Sequence, residues 1–128
     1  MNPHELGRLS KAEMEVMKAI WSFSGPVTVQ QMLDVFAGSR NWKTSTMSTI
    51  LSRLIAKGFL VKAAGGRANL YAPAIQADEY KSRETRAFLS AVHSGSMKSF
   101  ISALADGAGM DAGEIAELRE WFEGGGGQ

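Results

Sequence analysis

Serine and threonine side chains are concentrated in one stretch of the chain, between residues 44 and 52. Their hydroxyl groups both donate and accept hydrogen bonds, and Lys43, Arg53 and Lys57 flank them with positive charge. Serine and threonine lower helix propensity, so a segment selected only for stability would rarely contain so many of them. Small polar side chains also let a backbone lie close to another surface. We therefore interpret this stretch as a binding surface.

The same stretch has the hydrophobic pattern of an α-helix. Its apolar residues recur at intervals of three and four positions, which places them on one helical face. They are Met47, Ile50, Leu51, Leu54 and Ile55. Gly58 follows, and glycine commonly ends a helix in a left-handed backbone conformation. We predict a helix over about residues 44–57, with the apolar face inward and the hydroxyl face outward.

Two shorter helices are predicted before this one. Residues 10–13, Ser-Lys-Ala-Glu, have the capping-box pattern, which predicts that the first helix begins at Ser10. Residues 24–26, Ser-Gly-Pro, end that helix because proline lacks a backbone donor and glycine is flexible. The spacing of apolar residues then predicts a second, short helix over residues 30–36.

A β-hairpin is predicted after the third helix. Two extended runs, residues 59–64 and 69–72, flank Gly65 and Gly66, a pair typical of tight hairpin turns, and Arg67 lies beside the tip. Three helices followed by a hairpin with a basic tip is the element order of a winged helix-turn-helix, whose third helix enters the DNA major groove. The predicted fold class is therefore mostly α with a small β-hairpin: a winged helix-turn-helix DNA-binding domain plus a C-terminal helical dimerisation region.

The remainder of the chain is predicted to form three short helices, over about residues 78–94, 96–105 and 111–123. Helices of this size have too little interior to be stable alone, and most soluble oligomers are two-fold homodimers. We therefore expect these helices to pack against a second copy of the chain. The candidate dimer core consists of their large apolar residues: Tyr80, Phe88, Met97, Phe100, Ile101, Leu104, Ile115, Leu118 and Phe122.

Charge is distributed unevenly along the chain. Residues 1–75 hold nine basic and four acidic side chains, a net charge of +5, whereas residues 76–128 hold five basic and nine acidic ones, a net charge of −4. This asymmetry is expected when one part faces a polyanion and the other faces protein. We predict a winged-helix DNA-binding domain over residues 1–75, a helical dimerisation region over 76–123 and a flexible tail over 124–128.

Several classes of chemistry are absent from the sequence. The chain has no cysteine, which excludes disulfides, thiol nucleophiles and thiolate zinc sites. It has two histidines, no nucleophile-elbow motif and no phosphate-loop motif, so we expect no enzymatic activity, no cofactor and no metal. No apolar run approaches the roughly 20 residues that a membrane span needs. We expect a soluble, cytoplasmic protein that does not bind membranes directly.

Four segments of the chain carry a recognisable pattern: residues 9–21 (LSKAEMEVMKAIW), residues 42–49, residues 53–58 and the end of the hairpin at residues 71–73. They closely resemble the BlaI/MecI family of penicillinase repressors, over about residues 9–123. The resemblance implies a homodimeric winged-helix transcriptional repressor that binds a palindromic DNA operator. In the best-known members a membrane-bound sensor protease relieves repression by cutting the dimerisation half, which makes such a protease a candidate partner.

We assign roles in DNA binding from the outward face of the predicted third helix and from the family resemblance. The hydroxyl residues are candidate contacts to base edges or phosphates: Thr44, Ser45, Thr46, Ser48 and Thr49. The basic residues are candidate phosphate contacts, on the third helix, on the wing and near the first helix: Lys43, Arg53, Lys57, Arg67, Arg8 and Lys11. A structural salt bridge is the alternative for Arg53, and a solvated loop charge is the alternative for Arg67.

Two positions depart from the family pattern. Ser45 stands where members often have a basic residue, which bears on the operator sequence. The bond between Ala103 and Leu104 aligns with the Asn-Phe bond that is cut in the penicillin-responsive members, so it is the candidate proteolysis point and the inducing signal stays open. Two other functions are alternatives: a winged-helix module for protein interaction, and a sensor that binds a small ligand without protease-mediated release.

Overall fold

A computed structural model of the chain describes residues 7–63, 69–106 and 109–124. The helices are α1 (Lys11–Trp21), α2 (Val29–Phe36), α3 (Thr44–Ala56), α4 (Ala77–His93), α5 (Met97–Asp106) and α6 (Ala112–Glu123), and the strands are β1 (Leu60–Ala63) and β2 (Leu70–Pro73). The chain divides into two compact units: the first ends at Lys81 and the second begins at Ser82. The sequence placed this boundary six positions earlier, between residues 75 and 76. The predicted class, mostly helical with a two-stranded hairpin, is confirmed.

Side-chain caps determine where α1 and α2 begin. The backbone N–H of Glu13 donates to Ser10 Oγ at 3.2 Å, and the Ser10 N–H donates to Glu13 Oε1 at 2.7 Å, so the predicted capping box is confirmed. A second capping box joins Thr28 and Gln31 at the start of α2. The sequence analysis missed it and began the helix at residue 30, although the Thr-x-x-Gln pattern is a helix-start signal.

The core of the first unit is built from one face of each helix and from the hairpin. α3 contributes the apolar face predicted from its spacing, with Met47, Leu51 and Leu54 fully buried and Ile50 nearly so. Burying a side chain of this size stabilises the fold by about 1.5–3 kcal/mol relative to exposing it. The other buried apolar residues come from the remaining elements and the loops: Val16, Met17, Ile20, Val27, Met32, Phe59, Leu60, Tyr71 and Ile75. The inward face of α3 therefore holds the helix firmly on this core.

The end of α3 and the hairpin are fixed by backbone hydrogen bonds. Gly58 has a φ of +91°, and the Phe59 N–H donates to the Leu54 carbonyl at 2.9 Å, which is the Schellman arrangement. β1 and β2 pair antiparallel from Leu60 opposite Pro73 to Ala63 opposite Leu70. The predicted hairpin tip, including Gly65, Gly66 and Arg67, lies outside the described residues.

A third extended segment joins the hairpin beside β2. Val27 lies in the loop between α1 and α2, where its N–H donates to the Tyr71 carbonyl at 2.9 Å and its carbonyl accepts from the Tyr71 N–H at 2.8 Å. Both residues are buried. Buried backbone N–H and C=O groups need hydrogen-bond partners. This bridge supplies them for Val27 and Tyr71, so the hairpin can pack on the core without an unsatisfied backbone group at these two residues.

The second unit has no buried side chain among its described residues. Its aromatic rings form local contacts instead: Phe88 lies 6.1 Å from Phe100, and the His93 ring lies 5.6 Å from each. Several of its large apolar side chains are exposed: Phe88, Val92, Met97, Leu104, Ile115, Trp121 and Phe122. At the start of α6 the Glu114 N–H donates to Asp111 Oδ1 at 2.8 Å, so Asp111 caps this helix.

One residue assigned from the sequence to the dimer core packs within the first unit instead. The Tyr80 ring lies 5.6 Å from the Trp21 ring and 5.4 Å from the Phe59 ring. Trp21 is held in turn by its indole N–H, which donates to the Ile75 carbonyl at 2.9 Å. Aromatic pairs at these distances add to the stability of the core, so Tyr80 packs against the core of the first unit.

Candidate nucleic-acid interface

The outer face of α3 carries the hydroxyl groups that the sequence placed there. Ser48, half-buried, and the exposed Thr49, Ser52 and Arg53 line a shallow hollow of about 340 Å³ together with Ala56. Thr44, Ser45 and Thr46, in the first turn, are also exposed. The helix therefore presents small polar side chains outward while its opposite face is buried, which is the arrangement that lets a helix backbone approach another surface closely.

The Thr49 hydroxyl already has one hydrogen bond inside its own helix. Thr49 Oγ1 donates to the Ser45 carbonyl at 2.9 Å. Its proton is therefore engaged, whereas its lone pairs and its methyl group are available at the surface. A group of this kind accepts from the amino group of adenine or cytosine, or packs against the thymine methyl group, in preference to donating to a phosphate. The geometry favours a base-edge role for Thr49.

Positive charge at the beginning of α3 has no stabilising role in the helix itself. Lys43 is the N-cap residue, it is exposed, and its side chain makes no capping hydrogen bond. A cation at a helix N-terminus opposes the helix dipole, which favours anions there. Free backbone N–H groups of the first turn and a lysine at the same place together suit a phosphate group.

Arg53 lies near the other end of α3, where its charge is favourable to the helix dipole. One ion pair joins Arg40 with Glu15 and another joins Lys57 with Glu13, and among the described residues Arg53 has no ion-pair partner. The structural salt bridge considered as the alternative for Arg53 is therefore not formed within the described chain. Its side chain is exposed beside the hydroxyl hollow.

Lys57 requires a correction, because its side chain is used inside the protein. Lys57 Nζ donates to Glu13 Oε1 at 2.6 Å and to the Arg8 carbonyl at 2.7 Å. The Glu13 side chain is 4% exposed and that of Lys57 31% exposed. Releasing Lys57 to a phosphate would leave a buried carboxylate without its cation, which is costly. Lys57 is therefore a positioning residue for α3, and the sequence-based assignment as a phosphate contact is not supported.

The ionisation of Glu13 reflects the same contacts. Burial raises the pKa of the Glu13 carboxyl, but the hydrogen bonds from Lys57 and Ser10, together with the Lys57 charge, outweigh burial and lower this pKa below the usual 4.5. Glu13 is therefore charged at neutral pH. One carboxylate both caps α1 and holds the C-terminal end of α3.

The segment before α1 is hydrogen-bonded to the same end of α3. The Gly7 N–H donates to the Lys57 carbonyl at 3.1 Å. A Cβ added at Gly7 would lie 2.7 Å from Lys57 Cγ, so only glycine lets the two backbones approach this closely. The exposed Arg8 and, in the first turn of α1, the exposed Lys11 lie in or next to this fastened segment. The hydrogen bonds of this segment thus hold two of the predicted phosphate contacts, Arg8 and Lys11, close to the end of α3.

A cluster formed by Phe36, Arg40 and Trp42 supports the N-terminal end of α3. The Trp42 ring lies 5.0 Å from the Phe36 ring and 5.2 Å from the Arg40 guanidinium, and Arg40 also pairs with Glu15 on α1. Trp42 is therefore a packing residue at this end of the helix. Arg40 was missed, since a lone arginine in a loop carries no signal that distinguishes a structural cation from a solvated one.

Two predicted positions have no such support from the geometry. Arg67, the predicted wing contact, lies outside the described residues. The candidate proteolysis point between Ala103 and Leu104 lies inside α5, and both residues are exposed. A protease would have to unwind α5 locally to cut this bond, because a helical backbone is hydrogen-bonded within itself.

Within the described ranges, no cluster of three or more metal-ligating side chains occurs. None of the described helices is long and apolar enough to cross a membrane.

Comparison with known proteins decides the family. The model of the penicillinase repressor family matches residues 9–124. The chain belongs to this family. It is 29% identical to the penicillinase repressor of Bacillus licheniformis over 119 residues, which cover 93% of this chain and 92% of that protein. It is 25% identical to the methicillin resistance regulatory protein MecI of Mammaliicoccus sciuri over 111 residues, 87% of this chain and 89% of that protein. The resemblance to BlaI and MecI is thus confirmed.

Solved structures of a family member support the predicted fold. The solution structure of the DNA-binding domain of the repressor BlaI is 34% identical, with a TM-score of 0.52, and covers 59% of this chain and 92% of that chain. The Bacillus licheniformis BlaI monomeric form, solved in complex with the blaP half-operator, is also 34% identical over the same shares, with a TM-score of 0.50. The winged-helix class is confirmed by these matches.

Proposed function

We propose that this protein is a homodimeric transcriptional repressor that reads a palindromic operator with α3. The observation that carries the proposal is the exposed hydroxyl face of α3, which lies opposite a buried apolar face and next to Lys43 and Arg53, two cations without an ion pair among the described residues. Membership of the penicillinase repressor family supports it. So does the BlaI complex with a half-operator, a related chain bound to DNA.

The contacts divide into those that read sequence and those that fix position. Base edges are read by the hydroxyl side chains on α3: Ser45, Thr46, Ser48 and Thr49. Phosphates are bound at both ends of α3 and from the segment around the start of α1: Lys43, Thr44, Arg53, Arg8 and Lys11. The wing contributes Arg67. Lys57 acts through Glu13, by holding the end of α3 in place.

Dimerisation through the second unit supplies the two-fold symmetry. Support comes from its exposed apolar side chains, which include Trp121 and Phe122 at 52% and 58% exposure. Side chains of this size are costly to leave in water and are enriched in protein interfaces. Two recognition helices one DNA turn apart, about 34–36 Å, read the two halves of a palindrome.

The polar surface of α3 also weighs against the alternative of a protein-interaction module. A helix that docks on another protein usually exposes a contiguous apolar patch. The outer face of α3 carries hydroxyl and basic side chains instead.

The proposal is tested by binding of the purified protein to the DNA upstream of its own gene and to random DNA of the same length, across a salt series. We expect a preference for the upstream fragment that persists at physiological salt, with two subunits on each bound site. Equal, weak binding that disappears with added salt would indicate electrostatic attraction alone and would contradict operator recognition. A variant with Lys98→Gln, at an exposed position on α5 in the second unit, is the matched control for loss of one charge.

A further inference from the structure

An apolar groove lies in the first unit, between α1 and the first turn of α4. Met14 and Trp21 form one wall, Ala77 and Tyr80 form the other, and the groove encloses about 440 Å³. Sites for small organic ligands usually enclose about 300–1,000 Å³ and are lined mostly by apolar and aromatic side chains. The indole of Trp21 is fixed by its hydrogen bond to Ile75, so the aromatic wall is rigid.

The charge on this groove has one sign. Its remaining lining residues are Lys18, Ser22 and Lys81, and no carboxylate lines it. Neither lysine takes part in an ion pair within the described part of the chain. On α1, Glu15 lies one turn before Lys18 and is engaged with Arg40. The two ammonium groups are therefore exposed beside an apolar surface without an ion-pair partner among the described residues.

We propose that this groove binds a small aromatic carboxylate. The flat apolar body would lie against Trp21 and Tyr80, and the carboxylate would pair with Lys18 and Lys81. The lysine stems can cover the apolar body while their ammonium groups reach the anion, since long basic side chains bury their methylene groups and keep the charge at the surface. Charge complementarity and groove size determine the class of ligand. The proposal does not depend on DNA binding.

The test uses the full chain and two probes of equal shape, naphthalene-2-carboxylate and its neutral amide, in calorimetric titrations. We expect the carboxylate to bind saturably and about tenfold more tightly than the amide, because two partly exposed ion pairs each contribute modestly to binding. The double variant Lys18→Gln/Lys81→Gln should bind both probes equally. Lys62→Gln, which removes a lysine elsewhere on the first unit, should keep the preference.

The location is tested separately with the indole N–H resonance of Trp21, assigned with Trp21→Phe. This resonance should shift with the carboxylate at the same concentration dependence as the calorimetric signal. Ala77→Phe, which fills the groove, should abolish binding while the thermal unfolding midpoint stays within a few degrees of wild type. Equal binding of both probes to wild type would overturn the proposal, as would saturable binding that leaves Trp21 unchanged. Failure of the carboxylate to bind wild type would overturn it too.

Discussion

The two units of this protein use apolar side chains in opposite ways. In the first unit most of the large apolar residues of α1 and α3 are buried, and the buried carboxylate of Glu13 has a partner in Lys57. In the second unit α5 and α6 have comparable apolar residues, yet none of those described is buried. The first unit therefore has a core of its own, whereas we expect the second to cover its apolar side chains with a partner surface.

The largest contrast is expected from truncations of apolar side chains in the two units. Leu51→Ala removes a fully buried side chain and should lower the free energy of unfolding by about 2–5 kcal/mol, because a cavity remains. Ile115→Ala, at a side chain 40% exposed, should lower it by much less in the monomer. Urea denaturation of dilute protein measures both. Equal losses at the two positions would break the comparison.

The self-association of the second unit should depend on its exposed aromatic residues. Trp121→Ala should raise the dissociation constant of the dimer by roughly 30-fold or more, the effect of removing an aromatic hot-spot residue. Val35→Ala, at a comparably exposed apolar position on α2, is the control and should leave dimerisation unchanged. Sedimentation equilibrium measures both. If Trp121→Ala left the dissociation constant unchanged and Val35→Ala raised it, the interface would lie in the first unit, which would contradict the proposal.

The buried ion pair should make the first unit sensitive to substitution. Lys57→Gln should lower the free energy of unfolding by about 2 kcal/mol, less than the 3–5 kcal/mol typical of fully buried pairs, because Lys57 is partly exposed. Lys62→Gln, at an exposed position on β1, should have almost no effect. A loss of similar size in both variants, measured by urea denaturation at neutral pH, would mean that the Glu13 contact contributes nothing specific.

The same pair should give the first unit a pH dependence. The pKa of Glu13 is lower in the folded chain than its usual 4.5, so the folded state favours the charged carboxylate. Its contribution is present in full above the unfolded pKa and is lost as the pH falls through the folded pKa. Between about pH 5 and about pH 3, wild type should therefore lose more stability than Glu13→Gln. Parallel curves for the two proteins would contradict the assignment of this pKa.

The smallest effects should come from the outer face of α3, which contributes to recognition and little to stability. Thr49→Ala should reduce discrimination at one base pair by about 1–3 kcal/mol, whereas Lys43→Gln should weaken binding to every sequence and reduce the salt slope by about one. Competition binding with single-base operator variants separates the two results. If Thr49→Ala weakened operator and random DNA equally, Thr49 would be a phosphate contact instead.

Local patterns in the sequence predicted most of the elements that carry the candidate site. The capping box of α1, the inward face of α3 and the glycine that ends α3 were all found, because each is a relation between residues a few positions apart. The start of α2 was placed one residue late, because the spacing of apolar residues does not reveal the cap at Thr28. The outward direction of the hydroxyl residues followed from helical geometry alone.

The partners of individual charged and aromatic residues could not be found in this way. Lys57 and Glu13 are 44 positions apart, and Trp21 and Ile75 are 54 positions apart. No periodicity relates residues at such separations. For this reason the sequence predicted Lys57 to be a phosphate contact and Tyr80 to pack on a second copy of the chain.

The order of helices and strands, the buried face of α3 and the family pattern could all be predicted from local sequence, because hydrophobic spacing and caps act over one or two helical turns. Which cations remain available to a ligand depends on the packing of distant segments. Packing brings α1 against the end of α3, where the buried carboxylate of Glu13 engages Lys57, whereas Arg53 and Lys43 form no ion pair with any described residue. The physical reason is that a buried charge must have a partner, and the fold determines which cation is near enough to provide it.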